Sequence, residues 1–159
     1  MNSSTAHSMR WVLGLIAVLV LGGTARAQGN SGEEAAIMKV VTGVFEGLRK
    51  GDSSIVRPLF HAKARLITVD SRSPNARIEE SAEGFIAFIG GAQPGAFDEP
   101  ISNVLVHVDG SMASVWADYQ FFRGTTRTHC GVDHFLLVKE GGSWKIIELA
   151  DTRRRENCG

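Results

Sequence analysis

The sequence predicts an α+β domain, helices first and an antiparallel sheet last. Apolar residues from Ile37 to Leu48 recur at helical spacing, a second helical run stops at Gly90 and Gly91, and from Ile101 onward the texture changes to period two. Helices followed by a run of short strands is the order of a sheet with its helices gathered on one face.

The chain opens with Arg10, the apolar run Trp11–Gly23 and "TARA" ending at Ala27. A basic residue, a short apolar core and small residues spaced A-x-A are the parts of a secretory signal peptide. Thirteen apolar-run residues fall short of the roughly 20 that span a bilayer. The expectation is therefore export, periplasmic or secreted, with cleavage after Ala27 and no stable membrane anchor. Residues 28–32 read as a polar leader, 33–155 as one domain and 156–159 as a tail.

Without residues 1–27 the chain keeps 15 Lys and Arg against 17 Asp and Glu, a formal charge of −2 over 132 residues. That length can bury a real core. It carries no basic footprint for nucleic acid. The run "RRR" at 153–155 reads as a solvated strand end.

Ser31 and Glu34 stand in capping-box spacing, and Ile37, Val40, Val41, Val44, Phe45 and Leu48 form one helical face. Gly51 ends that helix; Asp52 can cap "SSIVRPLF", which Pro58 keeps short. "KARLITV" at 63–69 is a strand, and "ARIEE" at 76–80 returns against it. Ser81 caps the helix "AEGFIAFI". Four strands follow, "ISNVLVHV", "MASVWADYQFF", "RTHCGVDHFLLVK" and "SWKIIELADT", separated by "DGS", "RGTT" and "EGG".

The third of these holds "HCGVDHFLL", two histidines, a cysteine and an aspartate within six positions. Alternation sends His129 and His134 to opposite faces, and about 13 Å separates His129 from Asp133 along a strand. Zinc needs ligands converging at about 2 Å, so no metal site and no other cofactor is expected. A turn at Gly141–Gly142 sets Lys139 opposite Trp144, Phe135 opposite Glu148 and His134 opposite Leu149. A turn at Gly124–Thr125 sets Tyr119 opposite Cys130 and Val115 opposite His134. These registers gather Tyr119, Phe121, His134, Leu149 and Asp151 on an inner wall. Trp116, His129, Asp133 and Glu148 then share an outer face suited to a homodimer.

Cys130 and Cys158 both lie in the exported part and suffice for one bridge in an oxidising compartment, worth roughly 3–4 kcal/mol in the entropic account. The alternative is two unrelated thiols, one buried and one on a frayed end.

"FEGLRKGD", "LFHAKARLITV", "SAEGFIAFI", "ASVWADYQFF" and "CGVDHFLLVKEGGSWKIIELADT" together resemble the nuclear transport factor 2-like superfamily, specifically exported SnoaL-like or lumazine-binding-like relatives. The resemblance spans residues 33–155. It implies a cone in which a strongly bent sheet wraps helices around a pocket, often dimerised through the sheet's outer face.

Such cones serve several functions, and three readings follow. The first is an exported binder of a small apolar or aromatic molecule, its pocket lined by Phe60, Phe85, Phe88, Tyr119 and His134. The second is an isomerase-like enzyme using Tyr119, His134 and Asp151 in general acid/base chemistry, unless Asp151 is occupied by Arg153. The third is a homodimeric scaffold. His61 and His107 are expected in surface or capping roles.

Overall fold

The structure, a computed structural model, describes residues 25–158, with side chains described from 31 onward. The expected signal peptide, residues 1–27, and its cleavage after Ala27 lie outside the described side chains.

Helix α1 spans Ala25–Lys50, so residues 28–32 are helical and Ser31 lies inside the helix, not at its N-cap. Ile37, Val41, Val44, Phe45 and Leu48 are buried, as the helical spacing requires, and Val40 packs partly buried at the margin. The helix stops at Gly51, whose φ of 62° a side chain would resist. Gly51 N–H donates to Leu48 C=O and Asp52 N–H to Gly47 C=O, the paired bonds of a Schellman end. Asp52 then accepts from Ser54 N–H at 2.9 Å and starts α2, Ser53–Val56. A 3-10 turn through Pro58 follows. Helix α3, Glu83–Gly90, begins where Ser81 Oγ accepts from Glu83 N–H at 3.1 Å.

Seven strands form one sheet: β1 Phe60–Asp70, β2 Arg77–Glu79, β3 Phe97–Asp98, β4 Ile101–Asp109, β5 Met112–Arg123, β6 Thr126–Glu140 and β7 Ser143–Arg153. Their order is β2-β1-β7-β6-β5-β3, with β4 also on β5. The predicted meander is β4 to β7. The sheet is mixed, because β1 lies parallel to β7.

Both predicted turns form, yet both registers slip by one residue beyond them. Arg123 pairs with Thr126 and Phe122 with Arg127, but Phe121 pairs with His129, so Thr128 is the extra residue of a bulge. From there Tyr119 faces Gly131 rather than Cys130, and Val115 faces Phe135 rather than His134. In the next hairpin Lys139 pairs with Trp144, but an extra Ile147 sets Phe135 opposite Leu149 and His134 opposite Ala150. Further irregularities interrupt β4 between Ser102 and Leu105, where Asn103 has φ 50°, and β1 between Phe60 and Arg65. Bulges bend strands and increase their twist, so the sheet curls around α1 and α3.

Each one-residue slip exchanges the faces of a strand. The concave side of β6 therefore carries His129, Asp133, Phe135 and Leu137, while His134 joins Trp116 outside. Two expectations are thereby corrected: His129 and Asp133 are not on the outer face, and His134 is not on the inner wall. Trp116 and Glu148 do lie outside, Glu148 accepting from Arg65 at 2.6 Å. Cys130 is bonded to Cys158 with Cα atoms 5.7 Å apart. The bridge holds the tail against β6, where Cys130 and Arg154 also exchange backbone hydrogen bonds.

Candidate functional site

The curled sheet and the helices enclose a cavity of about 570 Å³. Helix α1 contributes Phe45 and Leu48, and α3 contributes Phe85 and Phe88. Tyr119 and Phe121 come from β5, Phe135 from β6 and Leu149 from β7. Apolar walls with a few convergent polar groups are the usual make-up of a small-molecule site.

Its polar groups fall into two sets. In the first, Asp151 is saturated: Oδ1 accepts from Thr68 Oγ1 at 2.6 Å and Oδ2 from Arg153 Nε at 2.6 Å. The Asp151–Arg153 pairing foreseen from their i+2 spacing is thus present. Burial opposes the charge on Arg153, while its bond to Asp151 favours it strongly enough to raise its pKa. Tyr119 donates to Thr152 C=O at 2.9 Å and lies 3.5 Å from Asp151 Oδ2. Burial, and then the neighbouring carboxylates, push its phenol well above the ordinary range, so it stays a donor. Gly131 makes this bond reachable, because a Cβ there would stand 2.8 Å from Tyr119 Cε1 and would strike the Thr152 carbonyl.

The second set is Asp133 and Glu99. Asp133 is 3% exposed, a rare burial for an aspartate. Glu99 follows β3 directly; pairing of Asp98 with Phe122 and of Ile101 with Tyr119 holds its loop against β5, over the cavity. With both groups ionised, Asp133 Oδ2 has no hydrogen-bond partner. With Asp133 protonated, it donates to Glu99. Burial is the main cause of the raised pKa of both groups, and the charge of each carboxylate on the other adds to it at Asp133. Burial thus biases both carboxyls toward their protonated forms.

His129 stacks on Phe121 with centroids 4.9 Å apart, and its Nδ1 lies 2.8 Å from Thr128 Oγ1. Burial and then Arg153 lower its pKa, so the imidazole is neutral at pH 7.

Of the residues expected at the site, Phe85, Phe88, Tyr119 and Asp151 line the cavity. Phe60 does not; it is a core residue that packs edge-on behind Phe85, centroids 6.1 Å apart. His134 lies on the convex side, 3.0 Å from Ser114 Oγ and beside the Trp116 ring. His61 Nδ1 accepts from Lys63 N–H within β1, where the pairing with β7 is interrupted. The sequence reading missed Glu99, Thr68 and Phe45 as site residues. Glu99 carries no periodicity, since it sits in a loop, and Asp133 was assigned the wrong face by the Thr128 bulge.

This helix-then-curled-sheet cone can be compared with known proteins. Residues 32–149 match the family described as "putative lumazine-binding". The chain belongs to that family. No curated protein matches it. Solved structures share the fold. An NTF2-like protein of unknown function from Shewanella baltica OS155 is 24% identical with TM-score 0.64, over 84% of this chain and all of its own. An NTF-2 like protein of unknown function from Silicibacter pomeroyi DSS-3 is 21% identical with TM-score 0.63, over 79% of this chain and 98% of its own. A structure described as a "putative scytalone dehydratase", from Novosphingobium aromaticivorans DSM 12444, is 17% identical with TM-score 0.66, over 81% of this chain and 89% of its own. The nuclear transport factor 2-like architecture of this family member is thereby shown.

Proposed function

We propose that this member of the lumazine-binding-like family is an exported protein that holds a small aromatic or amphipathic molecule inside its cone. The observation that carries the reading is the cavity itself: about 570 Å³, within the range of roughly 300–1,000 Å³ typical of small-molecule sites, with phenylalanine walls and a carboxyl pair at its polar end. Export is supported by the N-terminal sequence and by a disulfide, which persists in oxidising compartments. Native mass spectrometry of the protein purified from its own compartment tests the reading. It should report a retained small molecule lost on denaturation, and the same molecule should raise the melting temperature on re-addition. A protein that retains nothing and is stabilised by no aromatic small molecule would be no binder.

One observation favours a second reading. A carboxyl pair with raised pKa in a largely apolar cavity is suited to proton transfer near neutral pH. In that case Asp133 and Glu99, rather than His134, are the acid/base groups, and Asp133→Asn should abolish turnover while the bound molecule stays in place.

We further propose pairing of two copies through the convex face. Trp116, Leu105 and Met112 are 47%, 58% and 53% exposed there, a concentration of large apolar side chains that a second copy of the sheet would cover.

A further inference from the structure

The carboxyl pair bears on what kind of molecule the cavity takes, and this step rests on the binding reading above. Among the described residues, the other charges that line the cavity are engaged elsewhere, Arg123 by a ring and not by an anion. Arg153 is bonded to Asp151, Arg77 lies 3.3 Å from Glu79, and Arg123 sits over the Phe97 ring at 5.5 Å. The Tyr119 hydroxyl is committed to Thr152 C=O, so it does not offer its proton to an anion. Asp133 and Glu99 alone have no cation, and Asp133 Oδ2 is buried without a partner. The same cavity is lined by the rings of Phe45, Phe85, Phe121 and Phe135. Carboxylates beside aromatic faces are the surroundings that stabilise an organic cation, through ion pairing and through attraction to the ring quadrupole. Among the described residues, no three His, Cys, Asp or Glu side chains converge as a metal ion would need, which directs the choice to an organic ammonium.

We propose that the ligand is an aromatic amine whose protonated nitrogen binds between Asp133 and Glu99, the carboxyls of the cavity that have no cation of their own. An ammonium with a pKa near that of lysine, about 10.4, keeps its own proton, so ionising the carboxyls around it releases protons from the pair. The groups facing the pair are Asp151 and Arg153 from β7, Tyr119 from β5 and Asp98 from the preceding strand. His129 stays neutral at pH 7. None of these has to change protonation for the exchange. The affinity then rises with pH, up to tenfold per unit for each proton released, until the free pair loses its protons unaided.

Titration calorimetry with three indoles that differ in charge tests this: tryptamine, neutral tryptophol and indole-3-acetate. Tryptamine should bind at least tenfold more tightly than either of the others, and the heat in two buffers of different ionisation enthalpy should report net proton release at pH 6. Asp133→Asn and Glu99→Gln, each checked for native folding by circular dichroism, should remove both the preference and the proton release. Should tryptophol bind as well as tryptamine, or indole-3-acetate better, or should tryptamine bind without proton release, the amine assignment is overturned while the binding reading stands. Should none of the three bind, both fall. If one variant misfolds, the other still decides, since each removes one half of the pair.

Discussion

Asp133 and Glu99, 34 residues apart in the chain, meet at the polar end of the cavity, and Asp133 Oδ2 finds a partner only when a proton lies between them. The bulge at Thr128 turns Asp133 inward. The short β3 and the start of β4, both paired to β5, fix Glu99 above it.

A pH dependence of stability follows from that contact. Glu99 is pushed up to about 7 and Asp133 is also raised, whereas unfolded carboxyls titrate near 4. The folded state therefore holds more protons than the unfolded one above that point. The pair's contribution is complete below about pH 4 and declines as pH rises through the raised folded values, by up to about 1.4 kcal/mol per pH unit per proton. Asp133→Asn removes much of this slope. Urea unfolding at pH 5 and pH 8 should show the variant gaining on the wild type at the higher pH. A constant difference between the two proteins would show that the pair does not titrate in this window.

The disulfide gives a second outcome. Cys130 and Cys158 close a loop of 28 residues, for which the chain-entropy account gives roughly 3–4 kcal/mol. Cys158→Ser should lower stability by about that amount in urea and make the protein indifferent to reductant. Because the tail from Arg154 to Asn157 lines a second pocket with Thr128 and His129, the same variant should also speed amide exchange there without loosening α1.

Much of this fold is legible in the sequence because period and punctuation agree. Ile37 to Leu48 keep one helical face, Gly51 and Ser81 mark helix ends, and the glycine turns at 124 and 141 fall where predicted. The inner residues of β5, Tyr119 among them, and Asp151 on β7 are also placed correctly. What the sequence hides is the bulge. Thr128 and Ile147 are ordinary strand residues, and nothing in their chemistry announces an unpaired position. Yet one extra residue moves His134 out and Asp133 in, which replaces a histidine site with a carboxyl site. The parallel contact of β1 with β7 is hidden for a different reason: strands distant in sequence leave no local turn signal of their pairing.

Gly131 should tolerate no side chain. A Cβ there would collide with the Thr152 carbonyl and approach Tyr119 Cε1 at 2.8 Å, and a neighbouring strand's backbone cannot move aside as a flexible side chain can. Gly131→Ala should therefore cost about 1–3 kcal/mol, as overpacking does. The displaced Tyr119 would lose its hydrogen bond to Thr152. Near-ultraviolet absorption should show the phenol titrating at lower pH than in wild type, since it is the chain's single tyrosine. An unaltered phenol titration would mean that Tyr119 is not held by this contact.

Trp116 separates the convex face from the cavity. It is 47% exposed, lies opposite Leu105 and His134 on the neighbouring strands, and contributes nothing to the cavity wall. About half of its surface stays in water on folding, so its removal should cost the monomer about 1–3 kcal/mol, read from unfolding at concentrations where both proteins are monomeric. If two copies pair through this face, a central tryptophan is worth about 2 kcal/mol or more, roughly thirtyfold in the dissociation constant. Trp116→Ala should then run as a monomer by light scattering at concentrations where the wild type is dimeric, with binding in the cavity preserved. His134→Ala belongs to the same surface and should shift the dimer equilibrium in the same direction, also without effect on the ligand. A His134→Ala protein that stays dimeric but loses its ligand would place the histidine inside after all, and with it the inner wall that the uninterrupted register predicts.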